Sequence, residues 1–351
     1  ILTCYYIQLL CLILSQLAKM KKKMKIRIKS ILIFLLLFSF SKIHGQNIIE
    51  EYQKAKNDSI RIGELDSDFL KYIEKGYTLA KPENGKIISG VIVFLEDSGF
   101  ENKNMSAKQM YSQANKAGFA VLSVSTEIPL DFFFSDNSIS DAHKTIKDAF
   151  EKNNLPNKNI FLIGVGLSGH RAIKYVEYTK KTRPKFSLNI SGLIICDAPL
   201  DWVRQYNEGK RDRRINFDEG AVWEGSFSNY VLEKHLNGTP KSNLESYLDF
   251  STYSYSDETD RHIKNFQEFP TRTYIEIAIE YWLEKKRKTT IDNNAPDMVG
   301  LIAQMKLAGN ENAELKIIYP KDSKTEKKNT AATWISVNKD ELMEWITKHS
   351  E

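Results

Sequence analysis

An α/β fold, with a mostly parallel central sheet, helices on both faces and one long insertion, is predicted by three features of the 351-residue sequence. Short apolar or β-branched runs alternate with segments whose apolar residues recur at helical spacing, as strands joined by crossover helices require. Most of these runs lie about 30 to 40 residues apart, the length of a strand-helix-strand unit. One gap, of about 80 residues, is twice as long and marks the insertion.

The strand-like runs are Ile88–Leu95, Ala120–Val124, Ile160–Ile163, Leu193–Cys196, Tyr274–Ile279 and Leu315–Tyr319. Between the second and third, Ile139, Ala142, Ile146, Ala149 and Phe150 share one helix face. Helices also fit Gly169–Lys180, Ala295–Leu307 with Pro296 at its start and Gly309 past its end, and Asn338–Lys348. The last opens with Asn338-x-x-Glu341, a capping-box signature. The insertion runs from about 200 to 268 and is rich in aromatic residues, among them Trp202, Tyr206, Trp223, Phe227 and Tyr247. Such a segment is either a lid over a cleft or a small core of its own. Within it, Lys210-Arg-Asp-Arg-Arg214 reads as a solvated helix face.

Composition excludes several classes. Hydrophobic residues at 42% and only 9 prolines are ordinary globular usage, not that of a collagen-like, disordered or disulfide-framework chain. The net charge of +5 belongs to the first 45 residues, which hold eight Lys/Arg and no acid. The remainder, at about −3, argues against nucleic acid as a partner.

From Met20 a basic stretch, the apolar run Ile31–Phe40 and a short polar end at Gly45 have the make-up of a secretory signal peptide, residues 20–45. Cleavage is expected after Gly45, which gives a secreted or periplasmic domain over 46–351 with no stable membrane anchor. The ten apolar residues fall well short of the ~20 that span a bilayer. Residues 1–19 begin with Ile and lack caps or amphipathic order, so they read as a non-native upstream extension. The processed chain keeps one cysteine, Cys196, in an apolar run where a buried thiol is expected. No intramolecular disulfide is then available.

The informative segment is Ile160-Phe-Leu-Ile-Gly164-Val-Gly166-Leu-Ser168-Gly169-His170: a buried strand, a glycine-rich turn and a helix. It resembles the nucleophile elbow of the α/β-hydrolase superfamily, where G-x-S-x-G joins a central strand to the next helix. The resemblance covers the chain from about Ile88 onward, including the inserted lid and the closing helix. On that pattern the nucleophile position is Gly166, which has no hydroxyl. Shifting the motif by two makes Ser168 an alternative nucleophile, at the cost of the final glycine, replaced by His170.

The resemblance also implies a histidine between the last strand and last helix. Residues 320–337 contain none, and Ala332, beside Ala331 and Thr333, stands in the expected place. The oxyanion region maps onto the turn after Leu95, with Glu96 and Asp97, and onto the backbone N–H of Leu167. Asp197 and Glu280 are candidate acids, with Asp201 and Glu276 beside them in sequence. His143, His235 and His262 are scattered, so no metal is inferred. No P-loop or dinucleotide fingerprint is present, and no cofactor is expected.

These departures favour an exported α/β-hydrolase-like pseudoenzyme that binds a small molecule, peptide or protein partner in a lidded cleft. The alternatives are an active secreted esterase or peptidase-like enzyme, using Ser168 with a lid histidine such as His235 or His262, and a structural envelope or surface component.

Overall fold

The computed structural model describes residues 47–56, 72–83, 86–96, 105–125, 136–319 and 333–351. The leader and the extension before it lie outside the described residues, as do Asp97, Ala331 and Ala332.

Eight strands form one sheet: β1 (Asn47–Lys56), β2 (Tyr72–Lys81), β3 (Gly90–Leu95), β4 (Phe119–Ser125), β5 (Ile160–Val165), β6 (Ile190–Cys196), β7 (Thr271–Glu276) and β8 (Ala313–Ile318). Their order is β1-β2-β4-β3-β5-β6-β7-β8. β1 and β2 are antiparallel to their neighbours, and every pair from β4 through β3 to β8 is parallel. The parallel mostly two-sided sheet is what the alternation of apolar runs and helical patterns predicts.

Strand periodicity divides the core into two layers. On β3, Val91, Val93 and Leu95 face one layer, while Ile92 and Phe94 face the other. The first layer is closed by α3 (Asp136–Asn153), α4 (Leu167–Thr182) and α9 (Ala295–Leu307). The second is closed by α2 (Tyr111–Lys116), which follows the short α1 (Met105–Lys108), and by α10 (Thr333–Ser336) and α11 (Lys339–Lys348).

The insertion between β6 and β7 is helical: α5 (Trp202–Ile215), α6 (Glu219–His235), α7 (Leu244–Phe250) and a 3-10 turn at Ile263–Asn265. Trp202, Tyr206, Phe227, Val231, Leu232, Tyr247 and Phe250 make a third, separate core. Lys210, Arg213 and Arg214 lie exposed on α5, and Arg211 pairs with Asp292. α8 (Ile279–Lys286) follows β7.

Two expectations are corrected. The run read as a strand over Tyr274–Ile279 is shifted: β7 begins at Thr271, ends at Glu276, and Ile279 opens α8. The sequence conceals this because Thr271, Arg272 and Thr273 are buried polar residues; Arg272 is satisfied by Glu314 and Glu341. The capping box of α11 is half made. Asn338 Oδ1 accepts from the N–H groups of Asp340 and Glu341, but the Glu341 carboxylate binds Arg272 instead of reaching back.

Candidate functional site

β5 delivers the chain to a sharp turn at Gly166, which caps α4 with φ 58° and ψ −133°. That positive-φ conformation is strained for any residue with a Cβ and nearly free for glycine. The turn is pinned from both sides. The Gly166 N–H donates to Cys196 O at 2.9 Å, and the Gly169 N–H returns to Gly166 O at 2.9 Å. Helix and strand approach so closely that a Cβ on Gly164 would lie 2.3 Å from the Gly169 Cα, and one on Gly169 would lie 2.5 Å from the Ala198 Cβ. Gly166 differs: among the described residues nothing lies within 4 Å of its would-be Cβ. Glycine at this apex presents no side chain of its own.

Ser168 sits one residue inside α4 and is buried. Its Oγ accepts from the Val165 N–H at 2.8 Å and donates to Val165 O at 3.0 Å. Both bonds turn the hydroxyl back onto the end of β5, where it serves as a local brace. His170 is fully buried, its Nδ1 accepting from Trp202 Nε1 at 3.2 Å and its ring packed edge-on against Trp202 and Phe250. It anchors the insertion to α4.

Asp197 follows β6 in a left-handed conformation, φ 48°, and is one of the residues lining the cleft between elbow and insertion. Oδ1 accepts from Asn294 Nδ2 at 3.1 Å and Oδ2 from Thr333 Oγ1 at 2.8 Å. Burial pushes this carboxyl above the usual range, and those two hydrogen bonds work against the rise. Thr333 also accepts from the Glu276 N–H at 3.3 Å. Glu276 is buried at the end of β7, whereas Glu280 is exposed on α8. Glu96 turns toward α1, accepting from the Ser106 N–H at 3.1 Å and the Ser123 hydroxyl at 3.0 Å. Burial raises its carboxyl, against those bonds. Leu167, first residue of α4, lines the cleft and packs against the core of the insertion.

The histidines considered as a lid-borne base lie elsewhere in the fold. His262 has both ring nitrogens engaged, Nδ1 with Glu177 Oε1 at 2.7 Å and Nε2 with Leu248 O at 2.9 Å. His235 is exposed in the last turn of α6, and His143 is buried against the Tyr175 hydroxyl at 3.0 Å.

Between the elbow and the insertion lies a cleft of about 930 Å³. α5 and α6 form one wall and the segment from α8 to Asn294 the other. An ionic network that sequence reasoning did not single out fixes the first wall. Arg204 binds Asp297 twice, at 2.6 and 2.8 Å, and Glu208 at 3.0 Å. Lys288 bridges Glu208 at 2.5 Å and Asp212 at 3.0 Å. Asp297, wholly buried, also accepts from the Leu200 and Asp201 N–H groups and so holds the chain where the insertion begins. Arg204 and Glu208 are one helical turn apart, but Asp297 lies 93 residues from Arg204 and Lys288 lies 80 from Glu208, and no local signal marks those pairings.

With this geometry set out, the chain can be compared with known proteins. Carboxyl esterase 2 of the fungus Tuber melanosporum superposes with a TM-score of 0.52 at 10% identity, over 89% of each chain. The mostly parallel sheet, the strand-turn-helix around Gly166, the insertion before β7 and the closing helix coincide with what the sequence resemblance implies.

The chain has the α/β-hydrolase fold.

The acylaminoacyl peptidase of Pyrococcus horikoshii also matches, with a TM-score of 0.50 at 13% identity over 90% of this chain. The chain spans only 43% of that peptidase's length. No family model and no curated protein matches in sequence. At the turn after β5 the residue in the positive-φ conformation is Gly166. Among the described residues no group of three or more His, Cys, Asp or Glu is placed to hold a metal ion, and no helix is long and apolar enough to cross a membrane.

Proposed function

We propose that this is an exported α/β-hydrolase-fold protein without hydrolytic activity, which binds a small molecule or the end of a peptide in the cleft between elbow and insertion. The observation that carries the reading is Gly166 at the apex, with open space in place of a nucleophile. The bracing of Ser168 against Val165 supports it, because a hydroxyl committed to the strand end is poorly aimed for attack. A cleft of about 930 Å³ is large enough for a small-molecule ligand. The helical insertion then acts as a lid, and the basic-apolar leader directs the chain to the periplasm or the exterior. Recognition replaces bond-breaking as the function.

The test is paired. A fluorophosphonate probe is expected to leave the purified chain unlabelled, and a ligand screen is expected to raise its unfolding temperature, since binding only the native state stabilises it. Labelling that vanishes in Ser168→Ala would establish a working hydrolase instead. Absence of both labelling and stabilisation would favour a structural envelope component.

A further inference from the structure

The cleft has walls of a particular chemistry. Trp223 and Phe227 on α6 stack with ring centroids 5.4 Å apart and planes 12° apart. Tyr281 and Trp282 on α8 line the cleft as well. Such faces accept an apolar body, and their π clouds attract a cation. The two lysines of the lining are both committed: Lys286 to Asp218 at 2.7 Å, and Lys288 to Glu208 and Asp212. An anionic ligand would have to break those pairs to find a counter-charge. Asp197 is situated differently. Among the described residues its side-chain hydrogen-bond donors are the Asn294 amide and the Thr333 hydroxyl, both neutral, and the cation acting on it, Arg204, is itself bound to Asp297 and Glu208. A neutral ligand would cover that charge and leave it uncompensated, whereas an ammonium group would match it.

We infer that the cleft selects a ligand carrying a positively charged nitrogen on an apolar body, the nitrogen at Asp197 and the body against Trp223 and Phe227. The inference rests on the ligand-binding reading above and names the class of ligand.

Three probes of one shape separate the possibilities: phenethylamine, phenethyl alcohol and 3-phenylpropanoate, each titrated calorimetrically into the purified chain. The amine is expected to bind about tenfold more tightly than the alcohol, and the carboxylate more weakly than either. In Asp197→Asn, which keeps a residue tolerant of the left-handed backbone, the amine should fall to the affinity of the alcohol. On the unsubstituted chain, added salt should weaken the amine and spare the alcohol, a readout independent of how the variant folds. Trp223→Ala, at a partly exposed position, should weaken both. Equal or reversed preference, or an amine preference that survives both Asp197→Asn and salt, overturns the inference. Silence from all three overturns it too. Ligands found in the wider screen that carry no positive charge would still leave the ligand-binding reading standing; an empty screen would remove both.

Discussion

The elbow and the helical insertion meet at one cleft but are held by opposite means. The elbow is fixed by close packing: Gly164 and Gly169 leave no room for a methyl group, Gly164 facing the backbone of α4 and Gly169 the side chains of Ala198 and Ile195. The insertion is fixed by charge, through Arg204, Asp297, Glu208 and Lys288, with only a small aromatic core of its own. The two means differ in what they tolerate. At the elbow, Gly166 has no described atom within 4 Å of its would-be Cβ, unlike Gly164 and Gly169, and glycine there relaxes the positive-φ turn.

Substitutions on the two sides should break this contrast to different degrees. Arg204→Met removes the partner of the wholly buried Asp297 and should destabilise the chain by about 3–5 kcal/mol in urea unfolding. Gly164→Ala forces a methyl into the Gly169 backbone and should cost about 2–3 kcal/mol by the same measurement. Gly166→Ser meets no atom and should cost only about 1–2 kcal/mol, from backbone strain alone. Restoring that hydroxyl should produce no turnover of p-nitrophenyl acetate, because the described histidines are engaged or placed elsewhere in the fold; steady ester hydrolysis by this variant would show that a proton acceptor reaches the turn.

The smallest effect concerns pH. Lys286 beside Asp218, together with the Ala221 N–H, holds the Asp218 carboxyl below the usual carboxylate range. A carboxyl lowered in the folded state adds stability above its unfolded value, and that stability is lost as pH falls through the lowered one. Asp218→Asn should therefore flatten the acid side of the stability profile slightly, as an exposed ion pair allows. An unchanged acid limb in thermal melts would show that the pair contributes nothing to holding α6 against α8.

What the sequence made legible follows the same division. The buried strands β3 to β6, the helices α3, α4, α9 and α11, and the glycine turn at Gly166 are all written locally, as apolar runs, helical spacing and a turn of glycines. β1 and β2 were not foreseen because lysine and glutamate interrupt any apolar run in both: β1 is the partly exposed edge strand, and β2, between β1 and β4, is buried over Tyr77–Ala80 of its second half. Glu96, Asp197 and Glu276 were recognisable as acids near strand ends, but their roles depend on partners such as Ser106, Asn294 and Thr333 that only folding brings close. Arg204 read as one cation among many on an insertion without evident periodicity, and its pairing with Asp297 spans ninety-three positions. Packing repeats along the chain, whereas charge pairing is a property of the assembled fold.

Cys196 lies wholly buried in β6, between β5 and β7, with its thiol pushed far up by burial. Among the described residues it is the one free cysteine. A sulfhydryl sealed in the centre of the sheet ignores alkylating reagents until neighbouring strands part. The molecule thus carries an internal stopwatch: the pace at which iodoacetamide modifies Cys196, read by peptide mapping, counts how often its middle comes apart, with no engineered label.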